Sequence, residues 1–218
     1  MLDEVSSKSI VASYGIAVPK GVSIRTADDV ALAVQALRPP WVLKVMSPEI
    51  IHKTEVGGVC TKLTDATEVV ASMASMSERV HAHGGRVDGF LIEEMAPAGL
   101  EVVIGGVRDR SFGWLVMFGL GGVFVEFLKD VAFRICPINA IDAVEMIHEL
   151  RTAPLLSGAR GGVHVQESAL VDALLAVGDE QGLLLECGDQ IAELDLNPLI
   201  ASEGAVIAVD ARFILAHE

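Results

Sequence analysis

In the run Glu193-Leu194-Asp195-Leu196-Asn197-Pro198, polar and apolar residues alternate without a break. Side chains of a β-strand point alternately to its two faces. Glu193, Asp195 and Asn197 therefore share one face, and Ala192, Leu194 and Leu196 take the other. After the turn Ser202-Glu203-Gly204, the return segment from Ala205 to Val209 is apolar throughout and ends on Asp210. Such a hairpin must bury one face against a second layer, while the other collects oxygen atoms from two neighbouring strands. Two readings stay open: a polar face that meets water, or a site for a hard cation such as Mg²⁺. That ion takes one or two carboxylates and completes its shell with phosphate oxygens and water.

The rest of the chain mixes both periodicities. Residues 3–14 read as a helix stopped by Gly15, and 27–37 as a second helix behind Thr26, ended by Pro39 and Pro40. A third runs from Thr64 with Glu68 to about His83, where His81 and His83 complement its C-terminal end. Strand-like runs lie at 21–25, 41–46, 59–63, 87–94, 101–107, 112–118 and 122–127. Further helices follow Asn139 and occupy about 167–178, and the hairpin strands at 190–196 and 205–210 close the chain. The expected class is α+β in two lobes, with a boundary near residues 94–97, where Pro97 and Gly99 interrupt two strands. The 218 residues suffice to bury a core without disulfides or structural metals.

Composition removes several functions. With 16 basic against 30 acidic residues the net charge is -14, and no basic run exists to displace counterions from a nucleic-acid backbone. Cys60, Cys136 and Cys187 stand far apart, which fits a reducing cytoplasm and no metal-ligand spacing. The start Met1-Leu2-Asp3-Glu4 lacks the basic opening of a signal peptide. The apolar stretch from Phe112 to Leu128 holds four glycines and Glu126, which suits two strands around a turn better than a membrane span.

Three further features carry chemistry. Lys44 sits inside the apolar strand Trp41-Val42-Leu43-Lys44-Val45-Met46; it either snorkels to an edge or aims a point charge into a pocket, where phosphate is the natural partner. The loop from Ser47 to Gly58 holds His52 and Lys53 and ends on Gly57-Gly58, whose amides could wrap phosphate oxygens; a solvated loop histidine is the plainer alternative. The run Phe118-Gly119-Leu120-Gly121-Gly122 lies between strands, so it is a tight turn or bulge rather than a dinucleotide fingerprint, which must open a helix. No Walker A sequence and no nucleophile elbow is present.

Their order along the chain resembles the ATP-grasp fold. The segments SPEIIHKTEVGGV, LIEEMAPAGLEVVIGGVRD, FGLGGVFVEFLKDVAFRICPI, LLSGARG and ELDLNPL are similar to the ATP-grasp (beta) subunit of ADP-forming acyl-CoA synthetases, relatives of succinyl-CoA synthetase, from about residue 4 to 215. The resemblance implies an N-terminal helix (1–20) packed on the larger lobe, a small lobe (21–95) and a large lobe (96–218). It implies that Lys44 holds ATP phosphates and that Glu93, Glu94 and Met95 form a hinge whose backbone reads adenine. Glu101 would bind the ribose, Asn197 and Asp210 would ligate Mg²⁺ and Asp195 would stand near the transfer point. His52 matches a transiently phosphorylated histidine, with Glu55 as its proton-accepting neighbour, and Arg160 is a candidate anion contact.

The implied reaction is acyl-CoA + ADP + phosphate ⇌ acid + CoA + ATP. The chain has no CoA-binding Rossmann half, so a CoA-binding alpha partner is expected, together with an exposed apolar patch to meet it. Two other functions compete: a stand-alone ATP-grasp carboxylate ligase, which would turn over by itself, and a non-catalytic nucleotide-binding module, which need not supply metal ligands.

Overall fold

The computed structural model describes residues 2–50, 53–122, 129–159 and 162–216. The chain divides into two compact units, one formed by Pro19–Met95 and the other by Met1–Val18 together with Ala96–Glu218.

The Pro19–Met95 unit is a four-stranded antiparallel sheet in the order β1-β4-β2-β3. Its strands are β1 (Gly21–Ile24), β2 (Trp41–Met46), β3 (Val59–Leu63) and β4 (Gly89–Glu94), with helices α2 (Ala27–Ala36) and α3 (Ala66–Ala82). Trp41, Leu43, Val45, Phe90 and Ile92 leave one face of the central strands and form a core with Val30, Ala33, Val69, Met73, Met76 and Val80. The helices start where side chains satisfy free amides. Asp29 Oδ2 accepts from the Thr26 amide at 2.8 Å, and Asp65 caps α3, with Glu68 accepting from the Thr64 amide at 3.0 Å. At the far end of α3, His83 Nδ1 lies 2.8 Å from the Arg79 carbonyl oxygen.

The second unit carries a six-stranded sheet in the order β10-β8-β5-β6-β7, with β9 also on β8. These are β5 (Leu100–Asp109), β6 (Gly113–Leu120), β7 (Val131–Ile135), β8 (Ile191–Ala201), β9 (Val206–Ala208) and β10 (Arg212–Leu215). The helices are α1 (Glu4–Ser13), α4 (Ala140–Glu149), α5 (Glu167–Gly178) and the single turn α6 (Leu183–Glu186). Ile104, Val116, Phe118, Leu194, Leu196 and Phe213 of the sheet join Met146, Ile147, Leu170, Leu174 and Leu184 in one buried core. Gly106 is required there, because a Cβ would run into the Leu184 side chain. No described helix is long and apolar enough to cross a membrane.

Two strands escaped the sequence reading. β7 lies at Val131–Ile135 and β10 follows Asp210, while the expected strand at 122–127 falls, beyond Gly122, outside the described residues. The edge strand β7 is preceded by Asp130, 6% exposed, whose carboxylate accepts from the amides of Arg151 at 3.1 Å and Thr152 at 2.8 Å and from the Thr152 hydroxyl. Burial alone would raise the pKa of Asp130, but these hydrogen bonds prevail and hold it below the ordinary carboxylate value of 3.8. The folded protein therefore favours the charged form. That stabilisation is fully present above the unfolded pKa and disappears as pH falls through the lower folded value. Asp130→Asn turns an acceptor oxygen into a donor facing donors, and should cost about 2–3 kcal/mol at neutral pH. Urea unfolding should show that cost shrinking below pH 4; an equal cost at pH 7 and pH 3 would contradict it.

Candidate nucleotide and metal site

Lys44 does not snorkel. It lies on a central strand, 7% exposed, and its Nζ stands 3.1 Å from Glu93 Oε2, itself on the neighbouring strand and 2% exposed. The register sets this up: Lys44 is opposite Leu91 and Val42 is opposite Glu93, so the two charged side chains are diagonal neighbours on the face away from α2 and α3. A lysine and a glutamate buried together hold each other's charge at the cost of losing water.

The following residues of β4 are tied down by backbone contacts. The Glu94 amide donates to the Lys20 carbonyl and the Met95 amide to the Pro40 carbonyl, each at 2.9 Å. Glu94 Oε1 accepts from the Arg38 amide at 3.0 Å. The Met95 N–H is thus committed inside its own unit.

The glycine loop is likewise committed. The Gly57 amide donates to the Thr54 carbonyl at 3.1 Å and the Gly58 amide to the Lys53 carbonyl at 2.6 Å. Phosphate wrapping by these two amides would require the turn to open. Gly57 has φ +65, and its carbonyl takes Arg79 Nε at 3.2 Å and Nη2 at 2.8 Å; a Cβ there would strike that guanidinium. Glu55 is exposed on this loop. His52, expected beside it, lies outside the described residues, as does Arg160.

The most complete cluster is on the large sheet. Leu199 pairs with Ala208, Ile200 with Ile207 and Ala201 with Val206, while Arg212 pairs with Asp195, Phe213 with Leu194 and Ile214 with Glu193. Every pair keeps one register, so β9 and β10 are two stretches of a single return strand. Continued between them, that register sets Asp210 opposite Asn197, and the Val209 amide donates to the Pro198 carbonyl there at 3.1 Å. Opposed residues of an antiparallel pair project to the same face. Asn197 and Asp210 therefore form one step of a ladder, and Asp195 with Arg212 forms the next.

Arg212 was absent from the sequence reading, which ended the strand at Asp210. Its Nη2 lies 3.3 Å from Asp195 Oδ2 and 3.5 Å from Glu193 Oε1. Burial pushes the Asp195 pKa up; Arg212 pulls it down, and Glu193 and Asp210 add to the rise. Across the sheet the same rows turn apolar: Asp195 faces Gly105, then Met117 and Phe133, while Glu193 faces Val107, Leu115 and Ile135. Phe133 and Ile135 are about half exposed, at 47% and 52%. Val107, at 43%, is exposed in the same row.

Glu101 begins β5. Its carbonyl accepts from the Gly121 amide at 2.7 Å, and a Cβ at Gly122 would lie 3.3 Å from Glu101 Oε2. The glycine turn thus serves close approach to Glu101. The donor set of Asn197 and Asp210 consists of hard oxygens and suits Mg²⁺. Among the described residues no group of three or more His, Cys, Asp or Glu could hold a metal, so such an ion would draw its other ligands from phosphate and water.

Comparison with known proteins agrees with this architecture. A family model described as an ATP-grasp domain matches residues 1–215. The chain is 42% identical over 216 residues to the beta subunit of acetate–CoA ligase [ADP-forming] I of Pyrococcus furiosus, covering 98% of this chain and 91% of that one. It is 36% identical over 212 residues to acetate–CoA ligase [ADP-forming] I of Archaeoglobus fulgidus, covering 96% of this chain but only 30% of that longer protein. A solved structure of acetyl-coenzyme A synthetase 1 from Ca. Korarchaeum cryptofilum superposes with a TM-score of 0.82 at 39% identity, covering 98% of this chain and 92% of that one. That protein was in complex with coenzyme A and Mg-AMPPCP, its phosphohistidine segment pointing towards the nucleotide binding site. Fold, register and similarity converge: the chain belongs to the ATP-grasp family, among the beta subunits of ADP-forming acetate–CoA ligases.

Proposed function

We propose that this chain is the nucleotide-binding subunit of an ADP-forming acyl-CoA synthetase, moving a phosphoryl group between a phosphohistidine and ADP. The observation that carries this function is the ladder step of Asn197 and Asp210 beside Asp195, in a chain similar along nearly its whole length to such a beta subunit. Phosphoryl transfer asks a protein for positioning and charge neutralisation more than for covalent chemistry.

Asn197 and Asp210 would hold Mg²⁺, which when bound offsets charge on phosphate oxygens. Lys44 would exchange part of its contact with Glu93 for a nucleotide phosphate, and Glu101 would take the ribose hydroxyls. Glu94 and Met95 would border the adenine through their carbonyls, since the Met95 amide is engaged. Arg160 would contact an anion. In the direction of ATP synthesis, a terminal oxygen of ADP attacks phosphorus, the P–N bond to His52 breaks and the P–O bond forms. The electron pair of the broken bond returns to the imidazole, and Glu55 takes the proton when the ring is next phosphorylated.

The acyl phosphate would be made on a CoA-binding alpha partner. The much longer Archaeoglobus relative, of which this chain matches less than a third, supports that division of labour. The three free cysteines, one of them, Cys136, buried with its thiol pushed up to about 11, fit a reducing cytoplasm.

Incubation with γ-labelled ATP and Mg²⁺, with the alpha partner present, should place an acid-labile, alkali-stable label on this chain. His52→Ala should remove it. Label of equal strength in His52→Ala would end the phosphohistidine role while leaving the nucleotide site standing.

A further inference from the structure

Arg212 stands one ladder step from the proposed metal ligands and directly opposite Asp195. Its guanidinium touches two carboxylates through a single nitrogen, Nη2. The Nε–H is buried and has no hydrogen-bond partner among the described residues. On the same face, Arg212 stands among the carboxylates of Glu193 and Asp195, with Asp210 two positions before it on the chain. A polyanion such as ADP approaching that face is repelled by the carboxylates and attracted by the arginine, while a divalent cation experiences the reverse.

We propose that Arg212 is a positioning residue of the nucleotide site: it neutralises the Glu193–Asp195 pair so that a phosphate chain can lie beside Asn197 and Asp210. This rests on the nucleotide-binding function above and adds a residue and a division of charge to it. Arg212 sets the balance between anion and cation at one site. Removing its charge must move the two affinities in opposite directions.

The test measures Mn²⁺ alone by water-proton relaxation and ADP without metal by calorimetry, on the full chain. One unit charge removed about 7 Å away, at an effective dielectric between those of water and protein, changes each constant by roughly tenfold. Arg212→Gln should therefore bind ADP about tenfold more weakly and Mn²⁺ about tenfold more tightly. Arg212→Lys, which keeps the charge, should leave both within about threefold of wild type. Glu193→Gln should give the mirror image, with ADP tighter and Mn²⁺ weaker, and serves alone if Arg212→Gln does not fold. A structural role predicts that both ligands weaken together, or that neither moves. Either result, in a wild-type protein that binds ADP, overturns this inference only; a wild type that binds no ADP overturns the nucleotide site itself.

Discussion

Lys44→Met is expected to lower ATP-dependent phosphoryl exchange by at least a hundredfold and, separately, to destabilise the Pro19–Met95 unit by about 3–5 kcal/mol. The two effects have different causes. Activity falls because the point charge for phosphate is gone. Stability falls because Glu93, 2% exposed, stays buried without the ammonium 3.1 Å away. Adding Glu93→Gln should return most of the stability and none of the activity. Trp41 lies in the core of this unit and Trp114 in the other, so urea unfolding followed by tryptophan fluorescence in a Trp114→Phe background isolates the relevant transition. A single variant with near-normal exchange would remove Lys44 from the nucleotide site.

Asp210→Asn should reduce Mg²⁺-dependent exchange by about a hundred- to a thousandfold, since a bound cation is worth several kcal/mol of charge stabilisation during transfer. The amide is isosteric and can still accept from the Ala211 amide, which the Asp210 carboxylate does at 2.9 Å. Register gives a sharper form of this expectation. Because Asn197 and Asp210 face each other across the ladder, the double variant Asn197→Asp with Asp210→Asn keeps one carboxylate and one amide at the same step. It should recover at least tenfold over Asp210→Asn alone. Loss without recovery, at unchanged stability, would mean that the two side chains do not share an ion.

The sequence made the helices and the C-terminal hairpin legible for local reasons. Thr26, Thr64 with Glu68 and Asn139 are short-range start signals, although the cap of the third helix falls on Asp65, one residue after Thr64, and strict alternation from Glu193 to Asn197 identifies a strand face without any partner. What escaped depends on distant residues. Glu93 read as part of a hinge because the diagonal that joins it to Lys44 exists only once β2 and β4 align. Arg212 was missed because Val209-Asp210-Ala211 interrupts the strand hydrogen bonding, and the four residues of β10 carry too little periodicity to reveal that one register continues. The Gly57 and Gly58 amides looked available because nothing local announces that Lys53 and Thr54 accept from them.

The N-terminal helix has a bearing on how the protein is made. The Leu2 amide donates to the Phe213 carbonyl at 3.2 Å, Ala17 bridges Ile207, and the Tyr14 hydroxyl reaches Glu186, 172 positions further along the chain. On a ribosome, where synthesis is slow and domains fold as they emerge, α1 is made well before the sheet strands that seat it. Residues 19–95 complete their own sheet while that helix waits. Helix α1 must therefore stay unseated while the sheet is being made, and the strand that holds Arg212 is among the pieces whose arrival lets it dock.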